Sequence, residues 1–189
     1  MNLKHGLLVV ALLCSLSLTV RATELVVNGG FETGDFTGWT TAPISFPMYV
    51  DSNAHSGDFG AQIAGYSWGP DSLLQTVSTT VGQDYTLSFW REVFGGDPTT
   101  SLVLNWDGNA VFSELNSGAF PYQQFSFNVV GTGSDTIQFL CINDPSFTYV
   151  DDVSLTPSSL SVPDSGATVA MLGGAILVLA AMRRRLACA

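Results

Sequence analysis

The chain has 189 residues, of which 46% are hydrophobic and 12% charged, and its formal net charge is −10. Residues 23–156 hold one lysine or arginine, Arg91, against fifteen acidic residues, which gives this region a net charge of −14. A surface this acidic repels phosphate backbones, so nucleic acid is not expected as a partner. Cys141 is the one cysteine of the region, which excludes a disulfide framework within it.

Residues 1–22 have the pattern of a signal peptide. A basic start at Lys4 precedes an apolar stretch over residues 6–19, and a short segment ending in Ala22 supplies a small residue for cleavage. We expect cleavage after Ala22 and export of the remaining chain.

Residues 23–156 show apolar alternation with period two, which is typical of strands that are buried on one face. Tyr85, Leu87 and Phe89 alternate with polar residues, and Trp90 falls on the opposite face, where its exposure stays open. Segments rich in glycine, aspartate, asparagine and proline separate these runs, and "WDGN" predicts a hairpin between residues 101–106 and 109–114. About ten short strands predict an all-β domain, an antiparallel β-sandwich of the jelly-roll type.

Both ends of this domain resemble a known family. "ELVVNGGFETGDFTGW" (24–39) and "FTYVDDVSLTP" (147–157) resemble the first and last strands of galactose-binding-like, carbohydrate-binding-module jelly rolls. "AHSGDFGAQIAG" and "LLQTVSTTVGQDYTLSFW" follow the same family order. The resemblance implies the jelly-roll fold and says less about the ligand, because one fold carries many functions.

Acidic residues near the two ends suggest a metal site. Asp151 shares the parity of Tyr149, Val153 and Leu155 in its strand, so we expect it to point inward with them, where an unpaired carboxylate is costly. Ca²⁺ prefers oxygen ligands of this kind. The resemblance implies a structural Ca²⁺ held by Glu32 and Asp151, with backbone oxygens of Gly30 and Ser56. The alternative is that backbone amides alone satisfy Asp151.

Aromatic side chains are the candidates for ligand contacts, because sugars stack their C–H faces on such rings. The candidates are Tyr66, Trp68, Trp90 and Trp106. The alternative is that most of these rings belong to the core, as a sandwich of this size requires.

Residues 23–156 contain few side chains of the types that commonly act in catalysis. Residues 23–156 contain one histidine, His55, and no lysine, and no nucleophilic triad or phosphate loop is recognisable. We therefore expect a protein that is not an enzyme. A glycoside hydrolase built on two of Glu32, Glu92 and Glu114 is the less favoured alternative.

A linker is predicted over residues 157–161, followed by a C-terminal segment over 162–189. Residues 167–182 carry no charge and are nearly long enough to span a bilayer, and basic residues follow at once. Basic residues stay on the cytoplasmic side, so this helix would hold the acidic domain outside. The basic residues are Arg183, Arg184 and Arg185. A buried core helix is the alternative for 167–182.

The order of short motif, apolar helix and basic cluster resembles a PEP-CTERM-type sorting signal in its VPDSG variant. The motif is formed by Val162, Pro163, Asp164, Ser165 and Gly166. The resemblance implies processing by an exosortase-type transpeptidase and a role at the membrane or cell surface. We expect binding of a surface exopolysaccharide or other glycan, or work in the extracellular matrix. The alternative is a purely structural envelope or biofilm protein.

Overall fold

The computed structural model describes residues 23–43, 47–66, 68–95 and 100–158. These residues contain ten β-strands and no helix, which confirms the all-β prediction. In chain order the strands are β1 (Thr40–Ala42), β2 (Tyr49–Asp51), β3 (Gly60–Ile63), β4 (Asp71–Ser78), β5 (Asp84–Phe94), β6 (Ser101–Trp106), β7 (Asn109–Leu115), β8 (Phe120–Val130), β9 (Ser134–Ile142) and β10 (Phe147–Pro157).

The strands form two antiparallel sheets of five strands each. The first sheet has the order β1-β4-β9-β6-β7 and the second the order β2-β3-β10-β5-β8. The predicted hairpin is present, since β6 pairs with β7. Asp107 and Gly108 at its tip have φ angles of 50° and 75°, as a two-residue hairpin turn requires.

The core lies between the two sheets and is built from the inward side chains of each strand. Leu87 and Phe89 on β5 are fully buried, as the alternation predicts. Phe89 meets Phe139 of the opposite sheet edge to face, with ring centroids 5.0 Å apart. Cys141 is also fully buried and acts as a small core residue.

The segment over residues 24–39 is irregular and contains no strand, contrary to the resemblance with a first strand. Two backbone hydrogen bonds join it to β10, from Leu25 N to Leu155 O at 3.1 Å and from Val153 N to Gly29 O at 2.9 Å, and side chains supply further ones. The Glu24 carboxylate accepts from its own neighbours and from Leu155 N at 2.8 Å. The Gln75 amide both accepts from Val27 N at 2.7 Å and donates to Val27 O at 2.9 Å. The segment is therefore fastened to both sheets without joining either ladder.

Strand β10 contains a β-bulge that changes which residues face inward. Its pairing with β5 shifts register between Asp151 and Ser154, and Asp152 has a φ of 47°. Beyond the bulge Val153 and Leu155 point into the core, whereas Asp151 lies opposite the outward Trp90. The prediction that Asp151 shares a face with Val153 was therefore wrong, because the bulge inserts one residue into the alternation.

Both predicted terminal segments lie outside the described residues: the signal peptide over 1–22 and the sorting and membrane segment over 162–189. Strand β10 ends at Pro157, the first residue of the predicted linker. Among the residues that the structure describes, no helix has the length and apolarity needed to cross a bilayer.

Candidate functional site

A row of polar and aromatic residues crosses the outer face of the second sheet. Strand register places Tyr49 beside Gln62, Gln62 beside Tyr149, and Tyr149 beside Glu92. These residues alternate with core residues on their strands, so they face away from the first sheet. The row runs over four strands and leads to a cavity.

The cavity lies where β2 and β3 meet the loop between β9 and β10, and its volume is about 470 Å³. This volume falls within the range of small-ligand pockets. Tyr49 and Phe147 on its walls are 53% and 44% exposed, so their rings are open to a ligand. We call this cavity the aromatic groove, and it is lined by Pro47, Tyr49, Gln62, Ala64, Gly65, Tyr66, Asn143, Asp144, Pro145, Ser146 and Phe147.

Two of the four predicted ligand aromatics lie at the aromatic groove. Tyr66 lines it, and Trp68 stacks on Tyr66 with ring centroids 4.6 Å apart. A pair of backbone hydrogen bonds between Tyr66 and Gly69, at 3.0 and 2.9 Å, fixes the short loop that carries them. Trp68 is 69% exposed. The structure therefore places Tyr66 in the wall of the groove, with Trp68 stacked on it.

Trp90 faces outward on β5, but it is not an open platform. The His55 ring stacks on it at a centroid distance of 3.5 Å and an interplanar angle of 13°. Tyr122 packs against the edge of His55 at 5.6 Å. The ring of Trp90 is therefore covered by the chain itself.

Trp106 belongs to the core, which corrects its prediction as a ligand contact. Its side chain is 7% exposed and shares the inward face of β6 with Leu102 and Leu104. The indole Nε1 donates to Val130 O at 3.1 Å, so its polar atom is satisfied inside the protein.

Hydrogen bonds from two tyrosine hydroxyls, of the buried Tyr149 and the half-buried Tyr122, lie along the polar row. Tyr149 OH donates to Asp51 Oδ2 at 3.1 Å, and burial together with this hydrogen bond raises the pKa of Tyr149 to about 12. Tyr122 OH donates to Asn53 O at 3.0 Å, and burial and the nearby Asp151 carboxylate raise its pKa. Both hydroxyls therefore stay protonated and donate these hydrogen bonds.

Asp151 is fully buried beneath the turn that follows β2. His55 N and Ser56 N donate to its Oδ2 at 2.8 and 3.2 Å, and Asp152 N donates to its Oδ1 at 2.7 Å. Burial nevertheless raises the pKa of Asp151 to about 6, since the three amides offset only part of the desolvation. Asp152 in turn accepts from Ser56 Oγ at 2.8 Å and contacts His55 Nδ1 at 2.7 Å.

The structure brings the four predicted calcium ligands to the same turn. Glu32 accepts from Asp58 N at 3.0 and 3.1 Å and from Phe59 N at 3.1 Å. A Cβ built on Gly30 would lie 3.7 Å from Glu32 Cγ and 3.9 Å from Asp151 Oδ1, so Gly30 lies between the two side chains. Among the described residues, no three acidic, histidine or cysteine side chains are grouped to hold a metal. Any cation here would depend on two carboxylates and backbone oxygens.

The three glutamates considered for hydrolysis have separate structural partners. Glu32 binds the turn at residues 58–59. Glu92 accepts from Asn53 Nδ2 at 2.8 Å on the outer face of the second sheet. Glu114 forms an ion pair with Arg91, which points between the sheets. Glu92 and Glu114 therefore lie on different faces and do not form a catalytic pair across one cleft.

Sequence reasoning missed Tyr49, Gln62 and Phe147 as site residues. They come from three different strands and meet through the pairing of β2 with β3 and of β3 with β10. Nothing local in the sequence specifies these contacts. The sequence contained one partial signal for the site. Tyr49, in "PMYVD", is an aromatic residue in a strand of only three residues.

Residues 161–186 match the VPDSG-CTERM motif, which includes the predicted sorting residues. In sequence, the chain is 26% identical over 149 residues to endo-1,4-beta-xylanase A of Thermoanaerobacterium saccharolyticum. That alignment covers 72% of this chain and 13% of the xylanase, so this chain corresponds to about an eighth of its length.

Two of the solved structures that share the sandwich are carbohydrate-binding modules. A family 61 carbohydrate-binding module, TmCBM61 in complex with beta-1,4-galactotriose, superposes with a TM-score of 0.58 and 22% identity, covering 72% of this chain and 100% of the module. The CBM22-1 xylan-binding domain of Paenibacillus barcinonensis Xyn10C superposes with a TM-score of 0.52 and 13% identity, covering 75% and 99%. The chain thus combines a β-sandwich domain, similar in fold to these modules, with a C-terminal VPDSG-CTERM motif.

Proposed function

We propose that the domain binds a surface glycan at the aromatic groove without altering it chemically. The observation that carries the proposal is the groove itself, in which the exposed rings of Tyr49 and Phe147 and the Tyr66–Trp68 stack surround a cavity of about 470 Å³. Such rings take the apolar faces of sugars, while the amide of Gln62 beside them suits hydroxyl groups. The similarity to modules described with galactotriose and with xylan supports a glycan as the ligand.

Affinity electrophoresis through gels containing β-1,4-galactan or xylan tests this function. The full chain is purified in a polyoxyethylene detergent, which contains no sugar that would compete. We expect at least one of the two polymers to retard the protein, and Tyr66→Ala to weaken the binding by roughly tenfold or more, as loss of a central aromatic contact does. Leu115→Ala is the control, because Leu115 is 70% exposed on β7, in the other sheet.

Retardation that Tyr66→Ala leaves unchanged would remove the groove as the site. No retardation by any glycan in a broader array would favour the purely structural surface protein. Release of new reducing ends from the gel polymer would favour the hydrolase and contradict a role limited to binding.

We propose further that the C-terminal segment anchors the exported protein and directs its processing. Support comes from the VPDSG-CTERM match over residues 161–186 and from the uncharged stretch over 167–182 before three arginines. An exosortase-type transpeptidase is the proposed partner. Intact-mass measurement of the protein recovered from its native envelope checks this, because loss of residues after the motif and any covalent addition both change the mass. A mass equal to that of residues 23–189, with the leader removed and the C-terminal segment intact, would contradict processing of that segment.

We also propose that a structural Ca²⁺ binds beside Gly30, with Glu32 and Asp151 as its carboxylate ligands and backbone oxygens of Gly30 and Ser56 completing the set. The buried Asp151 carboxylate, whose pKa is raised to about 6, favours a nearby cation. A bound Ca²⁺ would tie residues 28–34 to β10 and would contribute no chemistry to a reaction. The melting temperature should rise with added Ca²⁺ and fall with chelator. Identical melting in both conditions, or an equal response in Asp151→Asn, would exclude the site.

A further inference from the structure

Strand β8 forms one edge of the second sheet and is unusually long for an edge. Of the described strands, only β5 pairs with it. It has eleven residues, as many as the central strands β5 and β10, whereas β2 on the opposite edge has three. One side of β8 therefore presents backbone N–H and C=O groups that another strand can bind.

Strand β8 also lacks the charges that usually protect an edge. Its sequence, "FPYQQFSFNVV", has no acidic or basic residue, although the domain around it carries a net charge of −14. Each other strand of seven or more residues, namely β4, β5, β7, β9 and β10, has at least one charged residue. Two copies of the domain repel each other over most of their surface, but β8 is a strip where that repulsion is weakest.

The inward rings of β8 remain partly exposed along the same flank. Phe125 and Phe127 are half-buried, although Phe89, on which both pack, is fully buried. Phe112 of β7 packs against both rings, with centroid distances of 5.1 Å to Phe125 and 5.4 Å to Phe127. A strand added beside β8 would cover these rings and bury more apolar area.

We propose that β8 pairs antiparallel with β8 of a second copy of this chain about a two-fold axis at Ser126, which joins two five-stranded sheets into one sheet of ten. This register places Phe125 of each copy opposite Phe127 of the other on the inner face. It places Gln124 opposite Asn128 on the outer face, where side-chain amides can exchange hydrogen bonds. The pairs nearest the axis therefore join chemically similar residues, as a self-complementary interface requires, and the first mismatch, Gln123 opposite Val129, lies three positions from the axis.

An axis at Phe125 matches less well, because it sets Phe127 opposite the polar Gln123 only two positions from the axis. An axis at Phe127 sets Gln124 opposite the apolar Val130, a mismatch at the same distance as that of Gln123 with Val129 in the Ser126 register. Of the three registers, only the one centred on Ser126 pairs two side-chain amides, Gln124 with Asn128. On the other side of Ser126, strand register places the uncharged Ser88 of β5. The centre of the proposed contact is therefore free of carboxylates on both strands. This inference is independent of glycan binding.

Co-capture between two differently tagged full chains, in polyoxyethylene detergent, tests the proposal. Wild-type chains should capture each other. Ser126→Lys chains should capture each other at least roughly tenfold less, because two like-charged side chains would lie directly opposite each other at the axis, with Cβ atoms about 5 Å apart. Ser126→Asp chains should behave in the same way. A Ser126→Lys chain mixed with a Ser126→Asp chain should regain capture, and lowering the salt should strengthen it.

Ser113→Lys is the matched control, since Ser113 is an exposed serine on β7, the edge of the other sheet. It adds the same charge and should capture like the wild type. The restored capture of the mixed pair shows that both variants are folded. The proposal is overturned if wild-type chains do not capture each other, if Ser126→Lys captures itself as well as the wild type does, if the mixed pair is no better than either variant alone, or if Ser113→Lys loses capture equally.

Discussion

Arg91 and Glu114 form an ion pair between the two sheets, although Arg91 is fully buried and the Glu114 side chain is 34% exposed. Arg91 also donates to Ser117 Oγ at 3.1 Å and lies over the Phe120 ring at 5.3 Å. Its Nε has no hydrogen-bond partner among the described residues, and burial lowers its pKa. The one cation of the domain is therefore a structural element of the sandwich.

The two partners of this ion pair should respond differently to removal. Glu114→Gln leaves a buried guanidinium without its counter-charge and should lower the free energy of unfolding by about 2–4 kcal/mol. Arg91→Met replaces the charge with an apolar chain of similar length and should cost within about 1 kcal/mol. Urea denaturation of both variants measures the difference. A larger loss for Arg91→Met than for Glu114→Gln would contradict this account.

The exposed and the buried tryptophan should differ sharply in their effect on stability. Trp106→Ala removes a buried ring and an indole hydrogen bond and should lower the free energy of unfolding by about 3–5 kcal/mol. Trp68→Ala removes a ring that is 69% exposed and should change stability by about 0.5 kcal/mol or less. Thermal melts compare the two, and equal shifts would show that the assignment of Trp106 to the core is wrong.

Gly29 lies so close to β10 that no larger residue fits. A Cβ at Gly29 would lie 1.9 Å from Val153 O, which is backbone and cannot rotate away. Gly29→Ala should lower the free energy of unfolding by about 1–3 kcal/mol, because the loop must move off the bulged strand. Gly118→Ala, where nothing lies within 4 Å of the added atom, should be neutral or slightly stabilising. A neutral Gly29→Ala would show that the loop can shift without cost.

Asp135 should make the protein sensitive to strong acid. Burial alone would raise its pKa, but hydrogen bonds from Thr132 and Thr79 outweigh burial and hold the pKa at about 2. The folded pKa lies below the unfolded value of about 4, so this contribution to stability is complete above pH 4 and is lost as pH falls through 2.

The Asp135→Asn variant checks this directly by urea denaturation across that pH range. Between pH 4 and pH 2 the wild type should lose about 1–2 kcal/mol that the variant does not lose. The variant itself should be less stable than the wild type at pH 7. Parallel curves for both proteins from pH 4 to pH 2 would contradict the role of Asp135.

Alternation predicted the sandwich because it is a local property of each strand. Tyr85, Leu87 and Phe89 face the core as their spacing indicates, and "WDGN" forms the expected hairpin. The irregular course of residues 24–39 was not predictable in this way. It depends on the Gln75 amide, which lies 48 positions away in sequence.

The candidate site was predicted only in part, for two physical reasons. A single bulge after Asp151 reverses the alternation, and period-two reasoning has no means of detecting one inserted residue. The aromatic groove joins Tyr49 with Phe147 through two strand registers, and these long-range pairings have no local signature. Tyr66 and Trp68 were found because their loop carries its own signal, a glycine and a proline beside two rings.

The burial of Arg91 has a consequence for proteolysis. Between Arg21 and Arg183 it is the only residue after which trypsin can cut, and its side chain has no exposure to solvent. Trypsin can therefore cleave the domain only after the sandwich unfolds locally around β5. The rate of tryptic digestion of the folded chain consequently measures this local unfolding.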